Sequence, residues 1–222
     1  MTQHLSLAVC LFPSVTALDY QGPIEVLGFL TPENLEKRKL KTPACTLTVT
    51  YLSHTLDPVV PTSGPATLPQ LTYDDALKQK IQYDILLVPG GLGARPGAVP
   101  DALVNFLKVQ APGAKYVFTV CTGSWILAGT GYLDGRRATT NKAAFKSCKE
   151  STSNKITWVP KARWVADGNI WTSSGVVAGL DMANAFLIHL VGEDMARIVR
   201  ERVELRASSQ DDDEFAEVHG LI

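Results

Sequence analysis

The chain has 222 residues, 45% of them hydrophobic, with 21 basic and 22 acidic side chains and a formal net charge of -1. That length and composition suit one globular domain able to bury a core without disulfides or metals, with residues 5–206 as its body and an acidic tail beyond. The balanced charge excludes a global field that would recruit nucleic acid or an anionic membrane. No apolar run is long enough to span a bilayer, and the first residues lack the basic start of a signal peptide, so the expectation is a cytoplasmic protein. Cys10, Cys45, Cys121 and Cys148 are scattered, with no C-x-x-C pair and no Cys/His cluster. Reduced thiols are expected, and neither a structural zinc site nor any other metal site.

In chain order, residues 5–11 form a nearly continuous apolar run, as in a strand buried on both faces. A helix is predicted over 20–30, with Gly22-Pro23 near its start, where proline's missing N–H does least harm. Residues 33–43 are highly charged and read as a solvated loop. A second strand is predicted over 46–52 from its alternating β-branched and apolar residues, followed by proline- and glycine-rich turns or a small hairpin over 58–69. A short helix over 74–79 precedes a buried strand over 83–88, which stops at Pro89-Gly90-Gly91. Helical periodicity over 102–110 leads to a strand over 115–120 and a helix over 124–128. Two further strands are predicted over 158–165 and 169–172, then a helical stretch from 178 to about 206. Strands alternating with helices imply a mostly parallel sheet covered on both faces, with ligands beyond the carboxyl ends of the strands.

The strongest local signal is Val120-Cys121-Thr122-Gly123-Ser124. A buried strand stops at a cysteine and small residues lead straight into an apolar helix, the arrangement of a nucleophile elbow. Helix N-terminal amides around the sulfur are expected to lower its pKa, and the Thr122 amide to stabilise developing negative charge. Pro89-Gly90-Gly91-Leu92-Gly93 lacks both the full dinucleotide fingerprint and a phosphate-loop lysine, which argues against a nucleotide site. At a strand end, an oxyanion-binding amide at Gly90 or Gly91 is the expectation. Two roles are open to Asp19: N-cap of the following helix, or a carboxyl group aimed at the crevice as acid or thiol partner. Glu25, six residues on, is either solvent-facing or a buried ionic group. His4, His54, His189 and His219 offer no candidate for a Cys/His dyad. Tyr20, Trp125 and Asn141 are candidate pocket residues. Cys10, Cys45 and Cys148 read as structural or incidental, the last two in loop-like settings.

Together, Leu18-Asp19 with Gly22-Pro23, Val120-Cys121-Thr122-Gly123 and Arg137-Ala138-Thr139-Thr140 resemble the ThiJ/PfpI superfamily, which also holds the parkinsonism-associated deglycase and the class I glutamine amidotransferases. The resemblance runs over residues 5–215, and these stretches look most like the isonitrile hydratase branch. The segment from Ser174 to Asp181 is similar to one that this branch shares with certain transcription regulators. No DNA-binding helices follow it here, which argues against a regulator. The resemblance implies a flavodoxin-like three-layer α/β sandwich, a homodimer, and no metal or organic cofactor. It implies a nucleophile at Cys121, a carboxyl partner at Asp19 and amide donors at Gly91 and Thr122. Where much of the superfamily has a histidine after the paired threonines, this chain has Asn141, which argues against protease or amidase activity. The implied reaction is hydration of an isonitrile, a small electrophilic substrate, to an N-substituted formamide. The alternatives are a glyoxalase, deglycase or pathway-specific hydratase or dehydratase using the same cysteine, or a thiol redox sensor or chaperone-like dimer without turnover.

Overall fold

Nine strands and nine helices are found among the residues that the computed structural model describes, 2–222. The first half of the chain holds β1 (Gln3–Cys10), α1 (Ala17–Leu27), α2 (Pro32–Lys37), β2 (Cys45–Ser53), β3 (Leu71–Thr72), α3 (Tyr73–Lys78), β4 (Ile85–Val88) and α4 (Asp101–Gln110). The second half holds β5 (Tyr116–Thr119), α5 (Gly123–Gly129), β6 (Arg137–Ala138), α6 (Phe145–Glu150), β7 (Thr157–Trp158), β8 (Trp164–Asp167), β9 (Ile170–Ser173), α7 (Val176–Val191), α8 (Glu193–Val203) and α9 (Phe215–Val218). Seven strands make one sheet in the order β3-β2-β1-β4-β5-β9-β8. All neighbours are parallel except β8, which returns antiparallel beside β9. β6 and β7 pair separately.

The apolar runs find their place because parallel strands are covered on both faces. In β1, Leu5, Leu7, Ala8, Val9 and Cys10 are all buried, and in β4 so is every residue. Helices α1, α7 and α8 pack together as one group, and α3, α4 and α5 as another. The result is the flavodoxin-like α/β arrangement expected from the sequence. The chain runs from β1 out to β2 and β3, then crosses back to place β4 on the other side of β1. That reversal opens a crevice at the carboxyl ends of β1 and β4, where this class of sheet binds ligands.

Several elements differ from the sequence reading. Residues 33–43 are not all loop: Thr31 caps the Asn34 amide, Pro32 opens α2, and Leu35 is buried beneath it. A cap plus a proline at the first position suffices to start a helix in a charged stretch. Helix α1 starts at Ala17, so Pro23 lies in its second turn rather than near its start. The strand predicted over 158–165 is two separate pieces, β7 and β8, with different partners. The helical stretch from 178 divides at Gly192, whose φ of 81° breaks α7 from α8. Cys45 opens β2 and Cys148 sits in α6, both buried rather than in loops. The acidic tail folds back, and Asp213 is buried. No helix among the described residues is long and apolar enough to cross a membrane.

Candidate active site

Cys121 lies two residues beyond β5, at φ 57°. A left-handed backbone costs a non-glycine residue about 1–2 kcal/mol, so something must hold it. Its amide donates to the Ser174 carbonyl at 2.8 Å, and its carbonyl accepts from Thr140 Oγ1 at 3.1 Å and Ser124 Oγ at 3.2 Å. The turn is tight because α5 begins against the end of β4. A Cβ at Gly123 would stand 2.1 Å from the Val88 carbonyl oxygen, a spacing only glycine permits.

Asp19 reaches this turn from α1. It is the third residue of that helix, whose N-cap is Thr16, so its carboxylate does not cap. It is fully buried instead, with Oδ2 accepting the Gly90 amide at 2.9 Å. Oδ1 has no hydrogen-bond partner, and the Cys121 thiol lies within interaction range of the carboxyl group. Burial pushes the Asp19 pKa up to about 7, against the opposing pull of the Gly90 amide and the thiol. The Cys121 thiol is likewise pushed up, to about 12, first by burial and then by the charge of Asp19. The Thr122 amide and hydroxyl and the Asn141 side chain pull it down, but by less. The expectation of a lowered thiol pKa is therefore overturned. A seven-residue helix offers a few amides, and they do not offset desolvation beside a carboxylate. No histidine is among the groups that shift this thiol, and Glu25 is exposed.

The amides expected to bind an oxyanion at Gly90 and Gly91 are already engaged. The Gly90 amide holds Asp19, and that of Gly91 donates to Thr122 Oγ1 at 3.0 Å. Gly90 is glycine for its neighbours' sake: a Cβ there would stand 2.5 Å from the Thr122 nitrogen and 3.0 Å from Asp19 Oδ2. Among the expected donors, that leaves the Thr122 amide beside the sulfur.

Asn141 is shared between the thiol and open space. Its Oδ1 accepts the Ala144 amide at 3.3 Å and its side chain reaches Cys121. It also lines a cavity of about 510 Å³ together with Ser174, Gly175 and Arg163.

A model of the DJ-1/PfpI family matches residues 6–189. The chain belongs to the DJ-1/PfpI family. It is 34% identical over 200 residues to an isonitrile hydratase of Pseudomonas putida, a match covering 90% of this chain and 78% of that protein. The solved structure of a ThiJ/PfpI family protein from Pseudomonas syringae superposes with a TM-score of 0.74 at 24% identity, over 99% of this chain and 85% of that one. Drosophila melanogaster DJ-1beta superposes with a TM-score of 0.72 at 20% identity, over 94% of this chain and all of that one.

Two candidate pocket residues of this DJ-1/PfpI domain serve elsewhere. Tyr20 is buried and its hydroxyl is hydrogen-bonded to Thr67 Oγ1 at 2.7 Å, which ties the loop after β2 to α1. Trp125 lines a different cavity, of about 600 Å³, with Ala94, Val99 and Val104 and without Asn141. Sequence reasoning placed Ser174 and Thr140 in family-like stretches but missed them as holders of the Cys121 peptide, because only the fold brings the segments after β9 and β6 against the turn. It also set His219 aside as terminal, whereas the fold brings it to the rim of the cavity beside Asn141. Among the described residues, no group of three or more metal-ligating side chains gathers.

Proposed function

We propose that this protein is a lyase that adds water to an isonitrile to give an N-substituted formamide, with Cys121 as nucleophile and Asp19 as proton relay. The observation that carries the reading is the pairing of Cys121, on its strained turn, with a buried carboxyl group that interacts with its thiol. The 34% identity with a protein named isonitrile hydratase supports the choice of substrate.

With the thiol held near 12 and Asp19 near 7, free thiolate is scarce, and proton transfer accompanies attack. Ionised Asp19 takes the thiol proton as sulfur forms a bond to the terminal carbon of R–N≡C. Asp19 then returns that proton to the same carbon, whose lone pair accepts it, leaving a thioimidate, R–N=CH–S. Asp19, ionised again, draws a proton from a water molecule as its oxygen adds to this carbon, and passes that proton to the nitrogen. The tetrahedral adduct, R–NH–CH(OH)–S, collapses with cleavage of the carbon–sulfur bond, and its hydroxyl proton passes by way of Asp19 to the departing sulfur. The sum is one isonitrile plus one water giving one formamide. Charge that develops on sulfur meets the Thr122 amide and the Asn141 side chain.

The test incubates purified protein with cyclohexyl isocyanide and follows N-cyclohexylformamide by chromatography. The expected result is turnover that Cys121→Ala abolishes and Asp19→Ala cuts by about 100-fold or more. Absence of formamide above the Cys121→Ala background from cyclohexyl, benzyl and methyl isocyanides overturns the proposal.

A further inference from the structure

The cavity beside Asn141 is walled by two parts of the chain that are distant in sequence. Its inner wall belongs to the site: Asn141 reaches the Cys121 thiol, and the Ser174 carbonyl holds the Cys121 amide. Its outer wall is the C-terminal segment, with Ser208, Phe215 and His219 facing the space. Buried polar anchors fasten that segment. Lys142 Nζ meets Asp213 Oδ2 at 3.1 Å with both side chains at most 3% exposed, and the same oxygen accepts the Ala162 amide at 2.9 Å. The Ser208 amide donates to Asp181 Oδ1 at 3.0 Å, while Asp181 Oδ2 holds Arg163. The Arg163 amide in turn donates to the Gln210 carbonyl at 2.8 Å.

These pairings settle what the cavity can accept. Lys142 and Arg163 both line it, but each is bonded to its own carboxylate, so neither offers an uncompensated charge. The rest of the lining is apolar at Ala143, Val176, Val177, Ala178 and Phe215, with the exposed Glu214 and His219 beside Phe215 in the C-terminal segment. A space of about 510 Å³ with such walls suits an uncharged hydrocarbon group and would cost an ion its hydration.

We infer that this cavity receives the uncharged hydrocarbon substituent on the substrate nitrogen, and that the C-terminal wall, Phe215 above all, sets how large a substituent is accepted. The occupant's identity as an isonitrile rests on the proposed function; the size selection beside Cys121 does not.

Phe215→Ala opens the wall and Ala143→Phe narrows it; both positions are exposed, so the fold should tolerate either. Two measurements are made on wild type and on both variants. The first is kcat/KM for 1-adamantyl against methyl isocyanide. That ratio should rise in Phe215→Ala and fall in Ala143→Phe, each by about tenfold. The second needs no hydration: the rate of Cys121 alkylation by N-cyclohexylmaleimide against N-methylmaleimide, read by mass spectrometry. It should shift in the same two directions. A shifted alkylation ratio without formamide production would remove the proposed reaction and keep the cavity's role. An alkylation ratio that neither variant moves overturns the inference, whatever the hydration assay gives.

Discussion

Asp19→Asn should make this protein more stable and less active at once, and the gain should depend on pH. Asp19 is fully buried and its pKa stands at about 7 against an ordinary 3.8. A carboxyl with a raised folded pKa binds its proton more tightly in the folded chain. Its penalty is therefore absent below pH 3.8, grows as pH rises, and is complete above about pH 7. The rise corresponds to about 4 kcal/mol of lost stability at pH 8 and about 1 kcal/mol at pH 4.5. Asparagine keeps an oxygen for the Gly90 amide and never ionises. Its amide nitrogen is buried where Oδ1 stands, and any cost of that is constant with pH.

Urea melts of wild type and Asp19→Asn at pH 4.5 and pH 8 isolate the effect. The stability difference between the two proteins should move by about 3 kcal/mol in favour of the variant from the lower pH to the higher. Carboxylates held low, such as Glu33, Asp75 and Asp84, act oppositely and in acid, but they are common to both proteins and cancel. In parallel, Cys121 alkylation at pH 8 should quicken, because one of the two influences that raise the thiol is gone. Formamide production should fall by about 100-fold or more. A stability difference that changes by less than about 1 kcal/mol between the two pH values would refute a buried carboxyl with a pKa near 7.

Gly123→Ala puts a Cβ 2.1 Å from the Val88 carbonyl oxygen and should cost about 1–3 kcal/mol by urea melt, with a loss of turnover as the elbow shifts. Asn141→Ala removes one of the groups that lower the Cys121 pKa, so the pH midpoint of alkylation should move upward. It also removes the side-chain acceptor of the Ala144 amide, which keeps the Asn141 carbonyl at 3.1 Å, so the cost should fall at the low end of about 0.5–2 kcal/mol. Lys142→Met leaves Asp213 buried without its cation and should destabilise by about 3–5 kcal/mol, whereas Lys142→Met with Asp213→Leu should recover most of that loss. A full double-mutant cycle by denaturation checks this, and an additive outcome would mean that the pair is not coupled.

Much of the fold was legible in the sequence because it rests on local patterns. Continuous apolar runs mark strands buried on both faces, and their alternation with helices leaves a parallel sheet as the way to bury them. Cys121 stood out for the same reason: a strand ending in cysteine and then small residues is a local signature. Helix starts inside charged sequence were less legible, since α2 depends on the Thr31 cap and on burial of the single side chain Leu35. The role of Asp19 could not be read from its spacing. That spacing allowed capping or a place in the crevice equally, and what excludes capping is Gly90, 71 residues away, donating to its carboxylate. The thiol's pKa went the other way from the local expectation, because desolvation and the charge of Asp19 are sums over surroundings that no motif encodes. The acidic tail is the furthest case. By composition it is a solvated end, yet Asp213 finds Lys142 across the fold and makes that end a wall of the cavity. Sequence determines which segments must be buried and where a strained turn can form; which charge meets which is decided only when tertiary packing removes water from both.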